Sequence, residues 1–196
     1  MKKLLIVALL AITVNVSFAQ HFQLGVKAGM NISNFTSGSF DNVKKTALVG
    51  VHAGTYLRIR FSNFAIQPEI LLSTQGAKID SLPGKFEWKI TYINVPVMAQ
   101  YYFNGSGFYI EAGPQVGFVV NQDFADNTIR DFANNLDLAI AAGLGVKAKS
   151  GLGIGARYNA GLSKVGDFSP SNGIDPDFKN GVIQISVYVP LTPGKK

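Results

Sequence analysis

The 196-residue chain contains no cysteine. That excludes a disulfide framework, a thiolate zinc site, a cysteine nucleophile and a lipidated N-terminal cysteine of the bacterial lipoprotein kind. Charge is scarce too: Asp, Glu, Lys and Arg make up 15% of the residues, against about 25% in average soluble proteins. No block of Lys and Arg is longer than two residues, so the formal net charge of +6 is too scattered to argue for nucleic acid. Beyond residue 20 no apolar run reaches the roughly 18 residues of a membrane helix. Nor is there a sustained apolar pattern at i, i+3, i+4 and i+7 that would predict an amphipathic one. Glycine, by contrast, is abundant at 21 residues, and 47% of the chain is hydrophobic. Such a chain is too apolar to be disordered, and little charge beside much glycine suggests an envelope protein.

Lys2 and Lys3 precede an apolar stretch from Leu4 to Val14, and Ser17-Phe18-Ala19 sets small residues where a signal peptidase reads. Residues 1–19 are expected to be an export signal cleaved before Gln20, with residues 20–196 forming one domain. The eleven apolar residues from Leu4 to Val14 are too few for a spanning anchor.

What recurs along the rest of the chain is period two. Val49, Val51, Ala53, Thr55, Leu57, Ile59 and Phe61 interleave with Gly50, His52, Gly54, Tyr56, Arg58 and Arg60, giving an extended strand one greasy face and one polar or tiny face. Similar alternation predicts strands near 22–34, 46–61, 64–78, 87–103, 108–122, 136–149, 152–164 and 180–191. All reach the 9–11 residues or so that a tilted strand needs to cross a bilayer, whereas strands of soluble proteins centre near 5–6. The connections 35–45, 79–86, 123–135 and 165–179 read as long, and those at Ser62-Asn63, Asn104–Gly107 and Ser150-Gly151 as tight. Long and tight alternate, as in an up-and-down barrel that keeps long loops on one rim and short turns on the other. A sheet survives in hydrocarbon only without an edge, and eight strands just close around a lumen that side chains can fill. The expected fold is therefore all-β, an eight-stranded antiparallel up-and-down transmembrane β-barrel. Lys27, Arg58, Arg60, Glu69, Glu111, Lys147 and Arg157 are expected to point inward as a structural polar network, because Arg or Lys facing lipid near the midplane would cost about 2–4 kcal/mol.

Aromatic residues crowd the predicted turns: Phe61 and Phe64 at the first, Tyr101, Tyr102, Phe103, Phe108 and Tyr109 at the second, with Trp88 and Tyr92 at the far end of the fourth strand. They read as interfacial girdles. Pro68, Pro96, Pro114 and Pro190 each remove a ladder donor from a sheet with no edge, so bulges or local irregularity are expected there. Two G-x-G-x-x-A matches, Gly143–Ala148 and Gly151–Ala156, lack the strand–turn–helix setting of a dinucleotide site, so no cofactor is expected. His52 on the inward face of the second strand could meet Ser73 or Glu69, but a lone lumenal histidine reads as a hydrogen-bonded filler, and no catalytic residue is assigned. Asp123, Asp126, Asp131, Asp167, Asp175 and Asp177 in two loops match no EF-hand and read as solvated acids, with no metal site expected. Phe124, Phe132, Phe168 and Phe178 stand among them, which suggests loops that fold on themselves or touch a partner.

Five stretches stand out: Gly25-Val26-Lys27-Ala28-Gly29-Met30-Asn31, Gln67-Pro68-Glu69-Ile70-Leu71, Tyr92-Ile93-Asn94-Val95-Pro96-Val97 running into Gln100-Tyr101-Tyr102-Phe103, Glu111-Ala112-Gly113-Pro114-Gln115 and Ala156-Arg157-Tyr158-Asn159-Ala160-Gly161-Leu162. Together they resemble the small PorT-like outer-membrane barrels of Bacteroidetes. The resemblance implies an eight-stranded barrel in the outer membrane, with no shared activity. It also implies contact with outer-membrane lipid, with the barrel-assembly machinery and with an envelope or secretion-system partner. One departure is the end of the chain, Val189-Pro190-Leu191-Thr192-Pro193-Gly194-Lys195-Lys196, where such barrels commonly finish on an aromatic residue. The expected role is a structural or adhesive envelope barrel that presents its loops or docks periplasmic machinery, and not an enzyme. The alternatives are a small-solute or ion pore and a soluble lipocalin-like carrier.

Overall fold

The computed structural model describes residues 21–36, 44–81, 84–123, 136–163 and 179–192. Eight antiparallel strands close into one barrel in chain order: β1 (His21–Thr36), β2 (Lys44–Phe61), β3 (Phe64–Ser81), β4 (Gly84–Tyr102), β5 (Phe108–Asp123), β6 (Leu136–Lys147), β7 (Gly153–Gly161) and β8 (Lys179–Pro190). β8 closes on β1. The predicted signal segment and most of the loop acids and loop phenylalanines lie outside the described residues.

Paired positions can be followed once around the barrel, from His21 to Arg60, Ala65, Gln100, Glu111, Gly143, Arg157 and Gln184, arriving back on β1 at Asn31. The return is ten residues from the start, which is the stagger of the barrel. With ordinary strand spacing and rise, eight strands at that stagger tilt by about 40° and enclose a radius of about 8 Å, a bore that side chains can fill.

The apolar face points out. Val51 is 63%, Ile140 53% and Ile154 54% exposed, while Arg58 and Arg157 on the opposite face are 1% and 3% exposed. A soluble lipocalin-like carrier needs the reverse orientation, so that reading is overturned. Glycines on the inner face make room for tyrosines. Gly25, Gly145 and Gly153 are paired with Tyr56, Tyr109 and Tyr188 across neighbouring strands. A Cβ on Gly153 would stand 2.2 Å from the Tyr188 ring, and one on Gly25 2.2 Å from that of Tyr56.

Three expectations are corrected. The second loop is not long: β3 and β4 continue to Ser81 and Gly84, which pair with each other, leaving only 82–83 between them. The alternation of Lys78-Ile79-Asp80 and Lys85-Phe86-Glu87 carries the ladder on, with Lys78 opposite Glu87 and Asp80 opposite Lys85. Pro68 and Pro96 show the local irregularity that was expected, but no proline sits at a bulge. Register shifts fall instead between Ala47 and His52 and between Thr91 and Tyr92. Around Pro68 and Pro96 the ladder skips bridges without slipping, from Pro68↔Val97 to Leu71↔Asn94 and from Pro96↔Gln115 to Ala99↔Ala112. A proline deletes a donor but inserts no residue, so the two strands keep equal counts. Finally, the aromatic girdle is thinner than expected. Phe61, Phe64 and Phe103 are exposed at the turn-side rim, but Tyr92, Tyr102 and Tyr109 are buried in the lumen. Alternation decides this, because Tyr102 and Tyr109 share the parity of inward Gln100 and Glu111. The side chain of Trp88 lies outside the described residues.

Candidate functional site

The lumen holds the polar chemistry of the described residues, and it is layered. At mid-height, the odd strands β1, β3, β5 and β7 contribute Lys27, Glu69, Glu111 and Arg157 to one ion-pair cluster. Arg157 grips Glu69 with two nitrogens, Nη2 to Oε1 at 2.8 Å and Nη1 to Oε2 at 3.1 Å, and reaches Glu111 Oε1 through Nε at 2.8 Å. Lys27 Nζ donates to both Glu69 oxygens at 3.1–3.2 Å. Gln67 donates to Glu69 at 2.7 Å and Gln100 to Glu111 at 2.9 Å. Every oxygen of Glu69 and Glu111 therefore has a donor, which is what makes these two buried acids tolerable.

Nearer the turns lies an aromatic layer around Arg58. Its guanidinium carbon is 4.9 Å from the Tyr188 ring centre, 5.0 Å from that of Tyr56 and 5.9 Å from that of Tyr102. Rings hold the cation by their negative faces, while Arg58 Nε donates to Gln67 at 2.7 Å and Nη1 to Gln23 at 3.1 Å. Gln67 thus links the aromatic layer to the ion-pair cluster. Arg60 and Lys147, expected in the same network, stand apart from it. Arg60 is partly exposed at the rim, 4.4 Å over Tyr102, with Nε donating to Ser62 O at 2.9 Å. Lys147 is partly exposed at the end of β6.

On the loop side of the cluster, His52 bridges Asn31 and Ser186. His52 Nδ1 lies 2.7 Å from Asn31 Oδ1, and Nε2 lies 2.9 Å from Ser186 Oγ. The Asn31 amide nitrogen donates to the carbonyls of Val51 and Thr74, so its oxygen is the atom facing the imidazole. A carbonyl oxygen only accepts, so Nδ1 carries the proton and Nε2 accepts from the serine hydroxyl. The order is that of a nucleophile, a base and an orienting amide. However, Asn31, His52 and Ser186 are 0%, 2% and 3% exposed, so no substrate carbonyl reaches the serine. The trio instead ties β2 across β1 to β8, over the seam where the barrel closes. His52 is paired with Ser73 in the ladder, but its ring bonds elsewhere, while Ser73 accepts from Asn31 at 2.9 Å.

Sequence reasoning named the charged members and missed their connectors, Gln23, Gln67 and Gln100, and the Asn31 that holds His52. Their signal was present, since each falls on the inward parity of its strand.

A closed eight-stranded barrel with lipid-ready aliphatics outside and paired charges inside is the architecture of an outer-membrane protein. The profile of the outer membrane protein beta-barrel domain family matches residues 18–167. The chain belongs to that family, and its place is the bacterial outer membrane. Among solved structures it resembles Neisserial surface protein A at 15% identity, with 85% of this chain and 96% of that one aligned at a TM-score of 0.52. It also resembles Ail, the attachment invasion locus protein of Yersinia pestis, solved with the heparin analogue sucrose octasulfate. That match has 16% identity over 86% and 97% of the two chains, at a TM-score of 0.50. At such identities the likeness concerns the fold alone. No curated protein gives a significant sequence match.

Proposed function

We propose that this family member is a non-conducting envelope barrel, anchored in outer-membrane lipid, whose work is done at its rims. Long loops face outward to display adhesive or partner-binding surface, and short turns face the periplasm. The observation that carries the reading is the crosslink of Lys27, Glu69, Glu111 and Arg157, which joins four strands through the axis of the bore. An ion entering there would have to displace a bidentate pair. The likeness to an attachment protein of Yersinia pestis is compatible with an adhesive role for the loops. The motif resemblance to PorT-like barrels supports an origin in Bacteroidetes, export by a signal over residues 1–19, assembly by the barrel-assembly machinery and an envelope or secretion-system partner. The test is planar-bilayer recording of the folded protein. Wild type is expected to be silent, and steady single-channel currents that change on Arg157→Glu would reject the plug.

One observation favours the pore as a second reading. Asn94 Nδ2, Gln115 Oε1, both amide atoms of Asn159 and both of Gln184 are buried without a protein partner. Buried amides of this kind are satisfied by water, so the β4, β5, β7 and β8 side of the lumen is its wetter side. A pore would run there, and the same recordings decide between the two readings.

A further inference from the structure

The turn-side mouth carries charge that the plug does not use. Arg60, Lys147 and Lys149 line a cavity of about 430 Å³ formed with the β4–β5 turn, floored by Tyr102. Lys147 and Lys149 also border a second cavity of about 430 Å³, between the β6–β7 turn and the end of β8, which includes Gln23 and Thr192. The two lysines thus form a partition between paired concavities. Below the Tyr102 floor lies Arg58, 1% exposed, with Nη2 lacking any hydrogen-bond partner. Glu69 and Glu111 are saturated by Lys27, Arg157, Gln67 and Gln100 and cannot answer these cations. Among the described residues the other acids, Asp80, Glu87, Asp123 and Asp137, all lie in the loop-side part of a strand. The mouth is therefore cationic by construction, with a buried, incompletely bonded guanidinium beneath it and open volume above.

We infer that this mouth is a binding site for a phosphate-bearing anion. Several cations around one cavity exceed what a single carboxylate neutralises, while a phosphoryl group offers several strong acceptors to a guanidinium and to ammonium groups at once. Exposed Phe61, Phe64 and Phe103 set the same rim at the headgroup level of the bilayer. The phosphate comes either from an anionic lipid headgroup or from a free phosphate compound. The site is independent of whether the lumen conducts, since both cavities lie on the turn side of the ion-pair cluster.

The experiment follows backbone amide resonances of the folded protein in phosphate-free micelles as inorganic pyrophosphate is added at constant ionic strength. A parallel arm compares nanodiscs of phosphatidylglycerol with nanodiscs of phosphatidylcholine. Saturable shifts centred on Gly105, Gly107 and Gly151, about tenfold weaker in Lys147→Gln/Lys149→Gln, are expected for a free phosphate ligand. The same shifts seen only with phosphatidylglycerol assign the ligand as a headgroup. Because these lysines are at the rim, the variant is checked for folding by heat-modifiable gel mobility, and Arg60→Gln supplies a second loss-of-affinity test. The proposal is overturned if neither arm responds, if the shifts map to the loop side, if chloride alone reproduces them, or if folded variants respond as wild type does.

Discussion

Arg157 braces the centre of the lumen, because among the described residues it is the one group that bonds both Glu69 and Glu111. Replacing it with Met leaves Glu69 with Lys27 and Gln67, and Glu111 with Gln100 alone. The expected loss is about 3–5 kcal/mol, the cost of an uncompensated buried charge, read as a lower urea midpoint of the barrel in lipid vesicles. Arg157→Lys should recover only part of it, since an ammonium cannot reproduce the two-pronged grip on Glu69. A stability unchanged in Arg157→Met would mean the cluster is not what braces the bore. A second test concerns shape. Gly153→Ala should destabilise by about 1–3 kcal/mol through overpacking, and Tyr188→Ala in the same chain should relieve most of that cost, a coupling that independent sites would not show. At this scale the charged residues were legible in the sequence, since a strand in lipid leaves a guanidinium nowhere to go but inward. The glutamine connectors showed their inward parity but not their partners, and the glycine–tyrosine pairs were not legible, because both depend on which residue faces which across strands, and cross-strand register is set by the whole ring of pairings.

Among the elements, the strands were the most readable feature, for alternation over a long segment is the direct imprint of a two-faced sheet. The exception was the β3–β4 connection, where charges at Lys78, Asp80, Lys85 and Glu87 resemble a solvated loop although the same residues continue a ladder. Polarity alone does not separate a loop from a strand that has left the hydrocarbon. The lipid face yields a prediction here. Ile140→Arg on β6 should cost about 2–4 kcal/mol, whereas Leu152→Arg, exposed beside the β6–β7 turn, should cost little, because the penalty fades toward the interface. Urea unfolding of the two variants in vesicles measures the difference, and equal effects would place the turn as deep as the strand centre. The seam has its own test. Ser186→Ala removes the hydroxyl that meets His52 Nε2 and should lower stability by about 1–3 kcal/mol, the cost of a buried acceptor left unmade.

For the whole molecule, the distribution of charge and the lengths of the connections point the same way. Among the described residues the acids outside the ion-pair cluster, Asp80, Glu87, Asp123 and Asp137, lie at the end that the connections 37–43, 124–135 and 162–178 join, while the other end has tight turns and a cationic mouth. In an outer membrane the short turns belong on the periplasmic side and the longer connections outside. The asymmetry in connection length was legible even though one connection had been misjudged, because three others carry it, and the orientation is what it leads us to expect. It predicts that an epitope inserted after residue 128 or 170 is labelled by antibody on intact cells, whereas one inserted at Gly105 is labelled only after the outer membrane is permeabilised. Unboiled samples of each insertion must still show the altered gel mobility of a folded barrel, so that labelling reports sidedness and not unfolding. Surface labelling at Gly105 in a folded barrel would turn the molecule over and set its cationic mouth outside the cell.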